Sequence, residues 1–253
     1  MKFLTKLFVI LGLLSLLIGV AVWKVPAGWI LGNYDWSGKS ISYARIKGTL
    51  WQGSMEQVQH GDVLLGDVSW DFQTINRLFP TITTWKVAGK GLDFNLEFFA
   101  DIEGLRPENL RMIQGQLPAG WVDLSKAAPL LFLSGRFNID LDHLSPSQNP
   151  ASLATGIIRW VDAGLTGLVE EPLGNILIEL RREDGFTIAD IQTEEPGDTM
   201  ISGEVKLNGA QYRTSLTLIT TEEKQYLVEQ LAHLGSVTPD GALELNLSGR
   251  LPR

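Results

Sequence analysis

Strict two-residue alternation runs through most of this chain and limits what it can fold into. Val68, Trp70 and Phe72 alternate with Asp67, Ser69 and Asp71. Leu92, Phe94, Leu96 and Phe98 alternate with Asp93, Asn95 and Glu97, and Phe137, Ile139 and Leu141 with Arg136, Asn138, Asp140 and Asp142. Ile176, Ile178 and Leu180 form one face near Gly174. Val205 and Leu207, then Leu243, Leu245 and Leu247, repeat the pattern. Successive strand residues point to opposite faces, so each run has one apolar and one wet face. Antiparallel sheets have this look, whereas parallel sheets show continuous apolar runs between amphipathic helices.

Glycines punctuate the runs: Gly48, Gly53, Gly66, Gly89, Gly91, Gly115, Gly135, Gly156, Gly203, Gly209 and Gly249. They fit turns, bulges or bends of a curved sheet. A loose unit recurs, a small or polar residue, Gly, then a strand, as in Ser134-Gly135-Arg136-Phe137 and Ser202-Gly203-Glu204-Val205. Its spacing is irregular, which excludes a solenoid of fixed period. One clear helix is expected near 222–234. Thr220 and Glu223 have capping-box spacing, Leu227, Val228, Leu231 and Leu234 share a face, and Gly235 is a stop. Asn76 to Phe79 suggests one turn and Ser125 to Leu130 a short helix. The loop-like stretch 145–152 is a candidate waist in one elongated domain.

The N-terminus differs. Leu7 to Val22 runs without a charge, with Lys2 and Lys6 before it and Trp23 and Lys24 after it. Spanning a bilayer takes about 20 apolar residues, and Phe3 to Trp23 suffices if Lys6 snorkels. Basic residues ahead of a span hold that end in the cytoplasm. Residues 1–23 therefore read as a cytoplasmic tip and transmembrane signal-anchor, and 24–253 as a β-rich domain across the membrane. A cleaved signal peptide, with Gly19-Val20-Ala21 as its site, is the competing reading. A buried core helix is a third.

Composition narrows function. The 253 residues are 44% apolar and 20% charged, a folded composition. A net charge of −8 suits no phosphate backbone, so nucleic acid is not an expected partner. Cysteine is absent, which removes disulfides, thiolate metal sites and thiol nucleophiles. His60, His143 and His233 stand in no ligand spacing. No nucleophile elbow is present, and Gly38-Lys39-Ser40 lacks the upstream glycine of a phosphate-binding loop. Asp140, Asp142 and His143 read as the wet end of a strand. Glu170-Glu171 and Glu194-Glu195, each before a proline, read as solvated turns. Six of the eight tryptophans precede residue 90. Core packing explains them better than sugar stacking. No catalytic, cofactor or metal residue is assigned, and no enzyme is expected.

Several segments together resemble the type II secretion system protein N family. They include Gly48-Thr49-Leu50-Trp51-Gln52-Gly53, Leu65-Gly66-Asp67-Val68-Ser69-Trp70, Gly115-Gln116-Leu117-Pro118 and Leu133-Ser134-Gly135. Gly156 to Ala163, Leu173-Gly174, Ile201-Ser202-Gly203, Leu231 to Gly235, Asp240-Gly241 and Leu247 to Leu251 continue the series. The resemblance implies a Gram-negative inner-membrane component of the secretion machinery, anchored once, with a periplasmic domain, accessory and non-enzymatic, contacting other secretion subunits. A looser similarity to AsmA-like periplasmic proteins implies a curved sheet with an apolar groove. Two classes of function follow: a structural or interaction subunit, or a groove that holds lipid at the inner membrane. A dry core would bury Trp70, Phe94, Phe137 and Leu245 together, whereas a groove would leave an apolar patch.

Overall fold

The computed structural model describes residues 24–32, 41–61, 63–75, 81–104, 106–122, 130–145, 153–208 and 211–250. The expected membrane segment, Gly38-Lys39-Ser40, the turn at Asn76 to Phe79, the short helix before Leu130 and residues 146–152 lie outside them. Among the described residues no helix is long and apolar enough to cross a membrane.

The expected antiparallel β class is observed. A short helix α1 (Ala27–Leu31) precedes the strands β1 (Ile41–Ser42), β2 (Arg45–Gly48), β3 (Gln52–His60), β4 (Val63–Ile75) and β5 (Ile82–Lys90). There follow β6 (Asn95–Glu103), β7 (Arg106–Pro118), β8 (Leu131–Leu144), β9 (Ala154–Gly167) and β10 (Glu171–Glu183). Next come β11 (Phe186–Thr193), β12 (Thr199–Asn208), β13 (Gln211–Thr220), a helical segment, β14 (Ser236–Val237) and β15 (Leu243–Arg250). The strand order is β1-β3-β4 and onward in sequence to β13, then β15 and β14, with β2 on β3. From β2 onward each strand thus pairs with a chain neighbour, the ordering that short turns between alternating strands produce.

The chain forms two compact units, Met1–Thr74 with Trp85–Leu92, and Ile75–Thr84 with Asp93–Arg253. Both flanks of 145–152 belong to the second. In the first unit, Trp51 stacks on Trp85 at 6.1 Å and Phe72 meets both edge-on, at 5.2 and 5.3 Å. The Trp70 ring lies over Gly53, where a Cβ would sit 2.5 Å from it, and its indole N–H donates to the Leu50 carbonyl at 2.9 Å.

In the second unit two apolar clusters form on one side of the sheet. Trp160, Ala163, Leu173, Ile176 and Ala119 make one, with Phe137 packed against it. Leu218, Leu243 and Val169 make the other, with Leu227, Val228 and Leu231 from α2 (Gln225–Leu231) and with Leu245 beside them. The four residues proposed for a single dry core are thus divided. Phe94 packs on Trp121, Phe137 on Trp160, Leu245 joins the helix cluster, and Trp70 belongs to the first unit.

The helical segment falls at 222–234 as expected, while its make-up and its caps differ from the reading. It is three pieces: a 3-10 turn Glu222–Lys224, α2, and a 3-10 turn Ala232–Leu234. No side-chain cap forms. Thr220 is the last residue of β13, so its hydroxyl reaches the Gln225 amide oxygen at 3.4 Å rather than a helix N–H. Gly235 is extended, with φ −160°, instead of left-handed. Glycine is needed there for closeness, since a Cβ would lie 2.1 Å from the Glu244 carbonyl oxygen.

Candidate functional site

A buried polar cluster lies where β10 begins. Packing of Leu227, Val228 and Leu231 onto the sheet brings the N-terminal end of the helical segment over Glu171. Lys224 Nζ donates to the two Glu171 carboxylate oxygens, at 2.8 and 3.0 Å, and the Tyr226 hydroxyl donates to Oε2 at 2.7 Å. The Glu171 side chain is 1% exposed. Burial alone pushes this carboxyl up, but the Lys224 and Tyr226 hydrogen bonds outweigh it and hold the group below its ordinary value. The hydrogen bond to Glu171 raises Lys224 and Tyr226 in turn.

A hollow of about 360 Å³ adjoins this cluster, lined by Asp162, Glu171, Glu195, Asp198, Thr199 and Lys224 among others. Glu171 is ionised and has its lone pairs occupied by an ammonium and a phenol. Such a carboxylate clamps helix to sheet and is poorly placed to exchange protons with a substrate. Among the described residues no three His, Cys, Asp or Glu side chains converge as metal ligands.

This geometry overturns one expectation. Glu171 was expected in a solvated turn; it is a buried member of β10, because Lys224 and Tyr226 supply the partners a buried carboxylate requires. Glu194 keeps that reading: it lies in an exposed bend just after β11, where its carboxylate accepts from Arg159 Nε at 2.6 Å. Asp140 and Asp142 are exposed on β8 as expected, with Asp140 accepting from Gln114 at 3.1 Å. His143 meets the Ser145 hydroxyl at 2.8 Å. Core packing holds for Trp160, which is buried and donates to the Ser134 carbonyl at 2.7 Å. Trp51, Trp70 and Trp85 are half-buried, while Trp29 and Trp121 are exposed.

The wet face of the second unit carries a charged row that motif reading did not single out. Cross-strand register places Arg181, Ile188, Lys206, Arg213 and Ser248 side by side. Arg181 pairs with Asp190 at 2.7 Å, with Glu204 at 3.2 Å and with Glu183, and Lys206 pairs with Glu204 at 3.0 Å. Arg213 and Arg250 pair with no acid among the described residues. With Lys206 and Phe186 they border a hollow of about 630 Å³. The polar positions of each alternating strand held this signal, but only the register shows which of them meet.

The family described as Type II secretion system (T2SS), protein N matches residues 39–246. Type II secretion system protein N of Pectobacterium carotovorum subsp. carotovorum is 25% identical over 227 residues, covering 82% of this chain and 83% of that protein. No solved structure matches. The matched stretch runs from β1 into β15, and the chain belongs to the type II secretion system protein N family.

Proposed function

We propose that this protein is a non-enzymatic, accessory subunit of the type II secretion system, anchored once in the inner membrane by residues 1–23, with residues 24–253 in the periplasm. The family match over residues 39–246 carries the reading. The Lys2 and Lys6 charges ahead of the apolar segment support the orientation, and a paired-neighbour sheet with a charged outer face suits a binding surface more than a reaction centre. The test has two readouts in cells. Protease added to spheroplasts digests residues 24–253, and deletion of the gene lowers export of a type II substrate. Protection from protease, or unchanged export, counts against the proposal. Replacing residues 1–23 with a cleavable signal gives a folded, released periplasmic domain; aggregates would show that the domain depends on its anchor.

One observation favours a second reading, lipid handling. Leu96, Gly115, Ile139, Ile158, Ile178, Ile191, Gly203, Leu216 and Leu245 are direct cross-strand neighbours from β6 to β15, all on the apolar face. Every one is half-buried and none is sealed. Native mass spectrometry of the full chain from membranes, with lipid extraction, tests this. A stoichiometric lipid supports the groove, and a lipid-free protein removes it.

A further inference from the structure

β15 has one paired side and one largely open side. It pairs with β13 from Leu218↔Leu243 to Gln211↔Arg250 without a register shift. On the other side β14 reaches only Leu243 and Glu244. From Leu245 to Arg250 no described strand pairs that side. The Glu244 carbonyl points toward β14, close to Gly235. In an antiparallel strand the N–H and C=O of one residue point the same way, and alternate residues repeat the direction. Asn246, Ser248 and Arg250 therefore present their backbone groups to the open side.

Native sheets blunt such edges with short strands, charges, prolines or bulges. β2, which lies beside β3, does so: it has four residues, and its Arg45 and Lys47 are tied to Glu56. The open stretch of β15 has no charge, proline or bulge from Leu245 to Gly249.

The two faces of the edge specify what fits. Leu245 and Leu247 are half-buried on the apolar face, and Asn246, Ser248 and Arg250 are exposed on the wet face. On that wet face Arg213 stands directly beside Lys206 on one side and Ser248 on the other. Like charges opposite one another are unfavourable. Glu204 compensates Lys206, whereas Arg213 and Arg250 have no acidic partner among the described residues. In a chain of net charge −8 this is a local cationic excess. Ser248 is small, so Arg213 has a clear path to the open edge.

We propose that the open edge of β15 docks an extended segment of another protein in which acidic residues alternate with apolar ones. The segment adds as a further strand. Its backbone pairs with Asn246, Ser248 and Arg250, its acids meet Arg213 and Arg250, and its apolar side chains continue the row of Leu245 and Leu247. This rests on the reading of the protein as an interaction subunit and names its contact.

The test uses the full chain in detergent and two labelled ten-residue peptides, one alternating Glu and Val, the other Lys and Val. Fluorescence anisotropy is expected to show the Glu peptide bound at least tenfold more tightly, with the difference shrinking as salt rises. Ser248→Pro removes an outward N–H without touching the β13 ladder, so it leaves the melting temperature within a few degrees and weakens binding at least tenfold. Arg213→Glu with Arg250→Glu reverses the peptide preference, and this variant decides the matter if Ser248→Pro unfolds the protein. Equal binding of both peptides, or binding indifferent to Ser248→Pro in a folded protein, overturns the proposal. So does binding to phosphatidylglycerol vesicles that Ser248→Pro leaves intact, which would assign the cations to lipid headgroups. Complementation separates this claim from the one beneath it. If Ser248→Pro restores export as fully as the wild type, the edge is not the contact but the secretion role stands; if the deletion itself leaves export unchanged, the secretion role fails.

Discussion

Replacing Gly135 by alanine tests whether close backbone approach shapes the sheet. Gly135 sits in β8 at a register shift between Ser134 and Arg136. Opposite it, Asp162 takes a left-handed φ of 51° and its N–H donates to Asn175 Oδ1 at 3.2 Å. A Cβ on Gly135 would lie 2.3 Å from the Asp162 carbonyl oxygen and 2.5 Å from that of Val161. These are backbone atoms that no rotamer change can move. Gly135 also has φ +92°, which side chains disfavour. Backbone strain of about 1–3 kcal/mol and overpacking of about 1–3 kcal/mol give a loss of roughly 2–6 kcal/mol. For a chain of this size that lowers the melting temperature by roughly 5–20 °C. Gly185→Ala is the control. Its φ is +83°, yet no atom lies within 4 Å of its added Cβ, so it bears only the backbone strain, about 1–2 kcal/mol. Thermal melts of both full-length variants by circular dichroism decide the issue. If Gly135→Ala melts no lower than Gly185→Ala, the approach of β8 to β9 is looser than described and the reasoning fails.

Three further outcomes follow from packing and charge. Glu171 is held below its ordinary pKa of 4.5, so its contribution is present above that value and is lost as pH falls below it. Lys224→Met leaves burial to push Glu171 upward, which reverses the sign: the melting-temperature gap between wild type and variant should widen from pH 4 to pH 7, and a constant gap would exclude the clamp. Thr187 is fully buried and its hydroxyl accepts the Ala154 N–H at 2.9 Å. Thr187→Val therefore costs about 1–3 kcal/mol in urea unfolding while Thr187→Ser costs less. Leu227→Ala empties the centre of the helix cluster and should cost about 2–5 kcal/mol by the same measurement.

What was legible follows from the range of each interaction. Alternation is a local property, and β15 shows it cleanly, with Leu243, Leu245 and Leu247 inward and Glu244, Asn246 and Ser248 outward. The buried face of α2 was equally readable from the spacing of Leu227, Val228 and Leu231. Glu171 was not, because its neighbours in sequence say turn and its partners lie 53 and 55 residues away. The capping box failed for a related reason: Thr220 pairs with Thr199 as the end of β13, and sheet pairing took the residue that it needs. The turn between β10 and β11 had its signal in Asp184-Gly185, whose φ values of 48° and 83° are those of a two-residue hairpin. The left-handed Gln57, Met112 and Asp162 carry no comparable mark, since their conformation is imposed by the adjoining strands.

The segments that carry the family resemblance mostly prove to be instruments of backbone geometry. Gly66 and Gly174 are both left-handed, at φ 67° and 77°. The residue after each, Asp67 or Asn175, accepts the N–H of a left-handed residue in the preceding strand, Gln57 or Asp162, at 3.1 and 3.2 Å. Leu65-Gly66-Asp67 and Leu173-Gly174-Asn175 therefore lock the same kind of bulge, once in each compact unit. Gly53 makes room for Trp70, and Trp70 and Trp160 each tie an indole N–H to a backbone carbonyl. A family signature that bends and fastens strands specifies a surface rather than a reaction. If that is its purpose, partner choice resides in the residues between the motifs, and substitutions at Arg213, Ser248 and Arg250 should alter binding without the loss of stability expected from Gly135.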